Sequence, residues 1–199
     1  MTIALWAAAV LVAFAIGSIP FGYIIGKTAF GTDIRREGSG NIGAMNALRT
    51  LGKRGAASVL ILDALKGFVP AFIAVRAGMP DLAACVAAAA VLGHCYSPWL
   101  GWRGGKGVAT SFGAVFAFSW LAGVLTAAAW IAGAGTTRYS SVGSMLGSVL
   151  APVFVWFTTR SIAETVSSAL VALLVLFAHR ENIARLRAGT ERAIGAGRT

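Results

Sequence analysis

Three separate stretches of this 199-residue chain carry residue types suited to holding phosphate. In the first, Gly104, Gly105 and Gly107 flank Lys106 immediately before an uncharged helical run that begins with Thr110 in its first turn. Free N–H groups at a helix start, the positive end of its dipole and an adjacent ammonium together make an anion cradle. The pattern is not a Walker A motif: Leu100 stands where the first glycine belongs, and Gly107 follows the lysine where Ser or Thr is required. The second stretch, Arg35 to Arg49, combines Gly38, Gly40 and Gly43 with Ser39, Asn41 and several guanidinium groups, among them Arg49, which can grip a phosphate bidentately. It lies in a connector of about 28 residues, a length that is usually functional when it has no structure of its own. The third, His179 to Leu186, places His179 and Asn182 at i, i+3 on one helix face, with Arg180 and Arg185 beside them. Plainer readings exist for each: a flexible basic loop, a glycine turn with an orientation-setting lysine, and a His-Arg anchor at a membrane surface.

The elements that must position these groups follow from composition. The chain is 57% apolar and 12% charged, about half the roughly 25% charge of a soluble domain. No charged side chain occurs in residues 1–26, 82–102, 107–137 or 139–159, and each run is long enough for a bilayer-crossing helix of about 20 residues. Two weaker runs, 55–75 and 161–178, are interrupted by Asp63 and Lys66 and by Glu164. Alternating strands are absent, which argues against a β-barrel. The first run lacks the basic start of a signal peptide and is too long for its core.

The run 107–137 is the ambiguous one. As a single helix it would be about 46 Å long, against a hydrocarbon core of about 30 Å. Counting it once gives six spans, with 9 and 7 basic residues on alternate sides. Folding it back near Ser119–Trp120 gives seven spans, with 14 basic residues (Lys27 through Arg198) on one side and only Arg76 and Arg160 on the other. Basic residues are retained in the cytoplasm during insertion. The expected architecture is therefore an all-α polytopic integral membrane bundle of about seven transmembrane helices, two of them short. The N-terminus is expected outside, and the C-terminus and candidate site in the cytoplasm. Residues 1–199 read as one membrane-embedded domain without linker or repeat.

Orientation and attraction to anionic lipid account for the net charge of +10, and nucleic acid is not a called-for partner. Asp63 and Lys66, i, i+3 neighbours within a span, can pair, and intramembrane ionisable groups default to a functional reading. His94 is placed about eight residues before the end of its helix, as a satisfied buried histidine. Cys85 and Cys95, about 15 Å apart along one helix, cannot bridge, and no metal site or cofactor is indicated. Gly22–Gly26 and Gly143–Gly147 have the spacing that lets helices approach closely.

Taken in order, Gly38-Ser39-Gly40-Asn41 through Arg49, Asp63-Ala64-Leu65-Lys66-Gly67, Gly93-His94 with Gly104 to Thr110, and His179 to Ile183 resemble the bacterial acyl-phosphate:glycerol-3-phosphate acyltransferase (PlsY) family over essentially the whole chain. The resemblance implies a seven-helix enzyme of the bacterial inner membrane that moves a fatty acyl group from acyl phosphate to the 1-hydroxyl of glycerol 3-phosphate. The products are lysophosphatidic acid and phosphate, in the first committed step of phospholipid synthesis. It implies that Ser39, Asn41 and Arg49 hold glycerol 3-phosphate and that Gly104, Gly105, Lys106, Gly107 and Thr110 form a phosphate-binding loop. His179 and Asn182 become the essential C-terminal polar pair, with Glu181 structural. Met45 replaces the threonine of the family's Gly-Ala-Thr-Asn and is left out of the site. Membrane lipids, and the enzyme that makes the acyl phosphate, are the candidate partners.

Acyl phosphate carries a good leaving group, and neither Ser nor Cys sits beside a recognisable base, so no covalent nucleophile is expected. Lys106, Arg49 and backbone N–H groups suit stabilisation of a carbonyl oxyanion. The proton of the glycerol hydroxyl goes either to His179 or, the preferred reading, to the donor's own phosphate, with His179 then binding glycerol 3-phosphate. Short helices within 107–137 would leave an apolar gap for the acyl chain beside the glycine loop. A transporter of organic anions is the rival reading, opposed by the clustering of all three motifs on one side. The His-x4-Asp signature of soluble-donor acyltransferases is absent after both His94 and His179.

Overall fold

The computed structural model describes residues 2–195; Arg198, counted above on the basic side, lies outside them. The described residues form ten α-helices: α1 (Ile3–Ser18), α2 (Phe21–Phe30), α3 (Ala44–Thr50), α4 (Gly52–Arg76), α5 (Pro80–Cys95), α6 (Val108–Phe118), α7 (Trp120–Thr137), α8 (Ser140–Thr159), α9 (Ile162–Ala178) and α10 (Arg180–Arg187). Short 3-10 turns occur at Ile34–Arg36 and Pro98–Leu100, and no strand occurs among the described residues.

Five apolar stretches are long enough to cross a bilayer, or six if α9 and α10, bent by 54° at their junction, count as one. The number falls short of seven mainly because α6 has only 11 residues, about 16 Å of helix. Of the two helices expected to be short, only α6 clearly is: α7 has 18 residues, about 27 Å. The break falls at Ser119–Trp120, the point at which the run is expected to fold back. Ser119 is extended, ends α6, and caps α7 by accepting a hydrogen bond from the Ala122 amide on its Oγ. Phe116 and Trp120 pack edge to face across the break, their ring centroids 5.1 Å apart. Lys106, just before α6, bonds to Asn182, while Arg138, just after α7, bonds through its carbonyl to the Ile194 amide. Both ends of the run therefore reach the same end of the bundle.

Two other expectations change. The first apolar run is interrupted at Ile19–Pro20, where proline has no N–H to continue the helical ladder. The connector to α4 is not structureless, since it contains the end of α2, a 3-10 turn and α3.

The packing is close and glycine-dependent. The principal helix pairs are α7 with α8, α4 with α6, α1 with α5, and α8 with α9. Gly143 abuts the Trp130 carbonyl and Ala134 on α7, as its spacing with Gly147 suggests. Gly22 and Gly26 serve differently: they admit the connector itself, through Ile42, Thr32 and Ile34. Ile131, Leu170, Leu173 and Phe177 are about three-fifths exposed on the outside of the bundle. So large an apolar surface is sustainable against lipid and not against water.

Candidate active site

The glycine–lysine loop owes its shape to the end of α5. Pro98 cannot follow a helical residue comfortably, so α5 stops at Cys95 and Ser97 is extended. This puts His94 in the last turn of its helix rather than eight residues inside it. The chain then turns through left-handed Gly101 and Trp102 and comes back along the helix end. The Gly104 amide donates to the Cys95 carbonyl at 2.9 Å and the Gly105 amide to the His94 carbonyl at 3.0 Å. A Cβ on Gly104 would strike the His94 carbonyl, and one on Gly105 would strike His94 Nε2. These two glycines therefore permit close approach, and their amides are engaged by carbonyls. The amides left for an anion are those opening α6 behind Gly107, which takes φ +80° at the helix start. Thr110 is fully buried, with its backbone and methyl against Gly67 of α4 and its hydroxyl unpartnered.

Below this loop lies a buried polar cluster. Lys66 Nζ sits 2.8 Å from Asp63 Oδ1 and donates to the Ile19 carbonyl, at the break before Pro20, at 3.0 Å. Both side chains are 1% exposed. His94 Nδ1 lies 3.6 Å from the same carboxylate oxygen, beyond hydrogen-bond reach, so the expectation that His94 is satisfied fails at Nδ1. Ser97 Oγ and Trp99 Nε1 add a second tie to α1, donating to the Ser18 carbonyl and hydroxyl at 2.7 and 2.9 Å.

The Ser39 stretch is organised by Asn46, a residue the sequence reading did not single out. Its side chain, 2% exposed, accepts from the Ser39 amide at 2.8 Å and donates to the carbonyls of Ile34 and Glu37 at 2.7 and 3.2 Å. Gly38, at φ +60°, leaves no room for a Cβ beside the Asn46 carboxamide. Asn41 Oδ1 accepts from the Gly43 amide at 2.8 Å and so shapes the entry to α3. Ser39 is exposed at the surface, and Arg49 projects half-buried from the last turn of α3.

At the α9–α10 junction His179 is 3% exposed, and its Nδ1–H donates to the Val175 carbonyl at 2.8 Å. That bond fixes the proton on Nδ1 and leaves Nε2 as the unengaged ring nitrogen. Asn182 Oδ1 accepts from Lys106 Nζ, which joins the glycine–lysine loop to the His179 stretch across 76 residues of sequence. Asn182 Nδ2 donates to Glu191 Oε1 at 2.6 Å, Ser141 Oγ donates to the same oxygen at 2.7 Å, and Arg185 Nε donates to Glu191 Oε2 at 2.8 Å. Ser141 and Glu191 also escaped the sequence reading. A serine at a helix start and an acid in a basic tail carry no distinguishing signal.

The charges converge here. Burial lowers the pKa of Lys106, and Arg185 and Arg49 push the same way against Glu191 and Glu181. Burial likewise lowers that of Arg49, helped by Arg192 and Arg185. The structure thus brings Arg49, Lys106, His179 and Asn182 together in one electropositive cluster, the candidate pocket, with Ser39 and Asn41 on the adjoining connector. Such a cluster can bind phosphorylated anions and stabilise developing negative charge.

Comparison with known proteins gives the same chemistry a name. Residues 7–189 match the family described as Glycerol-3-phosphate acyltransferase. The glycerol-3-phosphate acyltransferase of Rhodopseudomonas palustris (strain HaA2) is 43% identical over 98% of both chains. That of Dinoroseobacter shibae (strain DSM 16493) is 46% identical over 94% of this chain and 91% of the relative. Crystal structures of the integral membrane acyltransferase PlsY superpose with TM-scores of 0.90 in its glycerol 3-phosphate form, 37% identical over 96% of both chains, and 0.89 in its lysophosphatidic acid form, 36% identical over 96% of this chain and 95% of that one. An all-α membrane bundle with this pocket, matched along nearly its whole length, belongs to the glycerol-3-phosphate acyltransferase family.

Proposed function

We propose that residues 1–199 form one membrane-embedded domain that crosses the bacterial inner membrane seven times, with α6 and α7 as the folded-back pair. The N-terminus is outside, and the pocket and C-terminus are cytoplasmic. Fourteen basic residues against two support this orientation. The donor is acyl phosphate and the acceptor the 1-hydroxyl of glycerol 3-phosphate. The hydroxyl oxygen attacks the acyl carbon, the bond between that carbon and the phosphate oxygen breaks, and the hydroxyl proton leaves with the phosphate. Lysophosphatidic acid and inorganic phosphate result.

Lys106, Arg49 and the first amides of α6 stabilise the carbonyl oxyanion and the departing phosphate. Ser39, Asn41, Arg49, His179 and Asn182 hold glycerol 3-phosphate, and alignment of the two anions lowers the barrier further. The acyl chain runs into the bilayer beside the short helix α6, next to a narrow cleft lined by Phe112, Val115 and Phe118 together with Ser111, Ser148 and Ser168. The observation that carries this reading is the Lys106–Asn182 contact, with Arg49 within its electrostatic reach.

The test is turnover by protein purified in detergent and supplied with synthetic acyl phosphate and glycerol 3-phosphate, followed by phosphate release. Turnover is expected, acyl-CoA is not expected to replace the donor, and Lys106→Ala is expected to lower turnover by roughly 10²- to 10³-fold. Turnover with acyl-CoA alone overturns the donor. His179→Ala separates its two roles: a raised KM for glycerol 3-phosphate supports binding, whereas a collapse of kcat at unchanged KM makes His179 the base.

A further inference from the structure

One carboxylate stands among the cations of the pocket. Glu191 lies two residues beyond the segment matched by the family, in the strand of chain that follows α10. Gly189, at φ +67°, turns that strand back, and the Thr190 amide secures the turn by donating to the Arg185 carbonyl at 2.8 Å. Farther on, Arg192 donates to the Gly38 carbonyl at 3.2 Å and the Ile194 amide to the Arg138 carbonyl at 2.7 Å. The tail thus crosses from the His179 stretch to the Arg35–Arg49 stretch, and it carries the Glu191 side chain inward to 7% exposure.

The donors that Glu191 holds are Asn182 Nδ2, Ser141 Oγ and Arg185 Nε, at 2.6 to 2.8 Å. These are the lengths of charge-assisted hydrogen bonds to an anion. A hydroxyl has one proton to donate, and each N–H makes one good bond. Ser141 Oγ and Arg185 Nε each carry a single proton, so a phosphate seated on them, next to Lys106, and the Glu191 carboxylate cannot both have them, whereas Asn182 Nδ2 has two N–H groups and can serve both. Repulsion between the two anions adds to the conflict.

We propose that Glu191 is a resident anion of the substrate pocket, holding donors that a substrate phosphate must take over, and that it thereby sets the affinity for glycerol 3-phosphate. This rests on the assignment of Lys106 and Asn182 to that pocket. The carboxylate gives way because its tether is slight: a glycine turn and a few surface hydrogen bonds, the class of contact that opens at low cost. In exchange, a doubly charged phosphate gains the same donors together with Lys106 and Arg49.

The experiment compares wild type with Glu191→Gln, varying glycerol 3-phosphate at saturating acyl phosphate. Glutamine keeps the shape and removes the charge. KM for glycerol 3-phosphate is expected to fall roughly three- to tenfold at retained kcat, the scale of one partly screened charge beside a pocket. Inhibition by inorganic phosphate should tighten in parallel. An unchanged or raised KM, or a loss of kcat, overturns the proposal and makes Glu191 a brace for Asn182. A second arm uses the wild-type protein alone. Inorganic phosphate should speed hydrogen exchange at the Thr190 and Ile194 amides as the tail is displaced, and unchanged or slower exchange there overturns the proposal even if the glutamine variant does not fold. Lys106→Ala keeps the two assignments apart: if it retains full activity, the pocket itself is misassigned, whatever Glu191 does.

Discussion

Two lysines of this protein lie at the two levels of one polar column, and they are treated in opposite ways. Lys66, inside the bundle, is neutralised by Asp63 and capped by the Ile19 carbonyl. Lys106, one loop above it, has a neutral amide as its hydrogen-bond partner and arginines as neighbours. His94 joins the levels, with its Nδ1 turned to Asp63 and its Nε2 side against Gly105. A buried charge matched by its own chain is a structural element. A buried charge whose like-charged neighbours are only partly offset, here by Glu191 and Glu181, is held at a cost that an arriving anion would relieve, and that asymmetry favours Lys106 over Lys66 as the proposed ligand group.

The largest expected effect separates the two lysines directly. Lys106→Ala should lower turnover by roughly 10²- to 10³-fold, the scale of removing one preorganised donor, with thermal stability nearly unchanged. Lys66→Ala should do the reverse, costing about 3–5 kcal/mol by stranding Asp63. The double change Asp63→Leu with Lys66→Met should recover most of that loss. A Lys66→Ala protein of normal melting temperature and abolished turnover would erase the distinction.

Next in size is the contact between the levels. Gly105→Ala drives a methyl into the His94 ring and must displace the loop that aims Lys106. A fall in kcat of roughly tenfold or more is expected, since a shift of about 1 Å in a catalytic group has effects of that order. Gly135→Ala on α7, where a Cβ meets nothing within 4 Å, is the control and should leave the rate unchanged. Equal rates for the two variants would mean that the loop tolerates movement.

The smallest effect concerns acid. Burial raises the pKa of Glu191, but the bonds from Ser141, Asn182 and Arg185 and the charge of Arg185 outweigh it and hold the group below its ordinary 4.5. Arg49 and Lys106 face it from α3 and the glycine loop. A depressed carboxylate stabilises the fold above its unfolded pKa, and that contribution disappears as pH falls through the folded value. Wild type should therefore lose melting temperature relative to Glu191→Gln on acidification below 4.5, and the two should run parallel above it. Parallel curves throughout would indicate that the carboxylate gains nothing from its donors.

Much of this was legible in the residues. Hydropathy located the helices because lipid selects for uncharged length, and charge asymmetry favoured a fold-back of the 107–137 run because insertion sorts basic residues. The motif residues Arg49, Lys106, His179 and Asn182 announced themselves by type. Other contributions were hidden. Asn46 reads as an ordinary polar residue in a helix until its carboxamide is seen gathering three backbone groups around Ser39. The place of His94 was recoverable, since Pro98 ends the helix, but its contact with Gly105 was not.

What the linear order determined by itself is the solvent of this protein, the uneven distribution of its basic residues and the residue types of its three motifs. All of these depend on local composition, and bilayer insertion reads local composition directly. Only the tertiary structure decided that Lys106 meets Asn182, that Gly104 and Gly105 are small for the sake of His94, and that Glu191 folds back among the cations. Each of these is a contact between groups far apart along the chain, set by how helices pack and where loops return. No local pattern encodes such a distance.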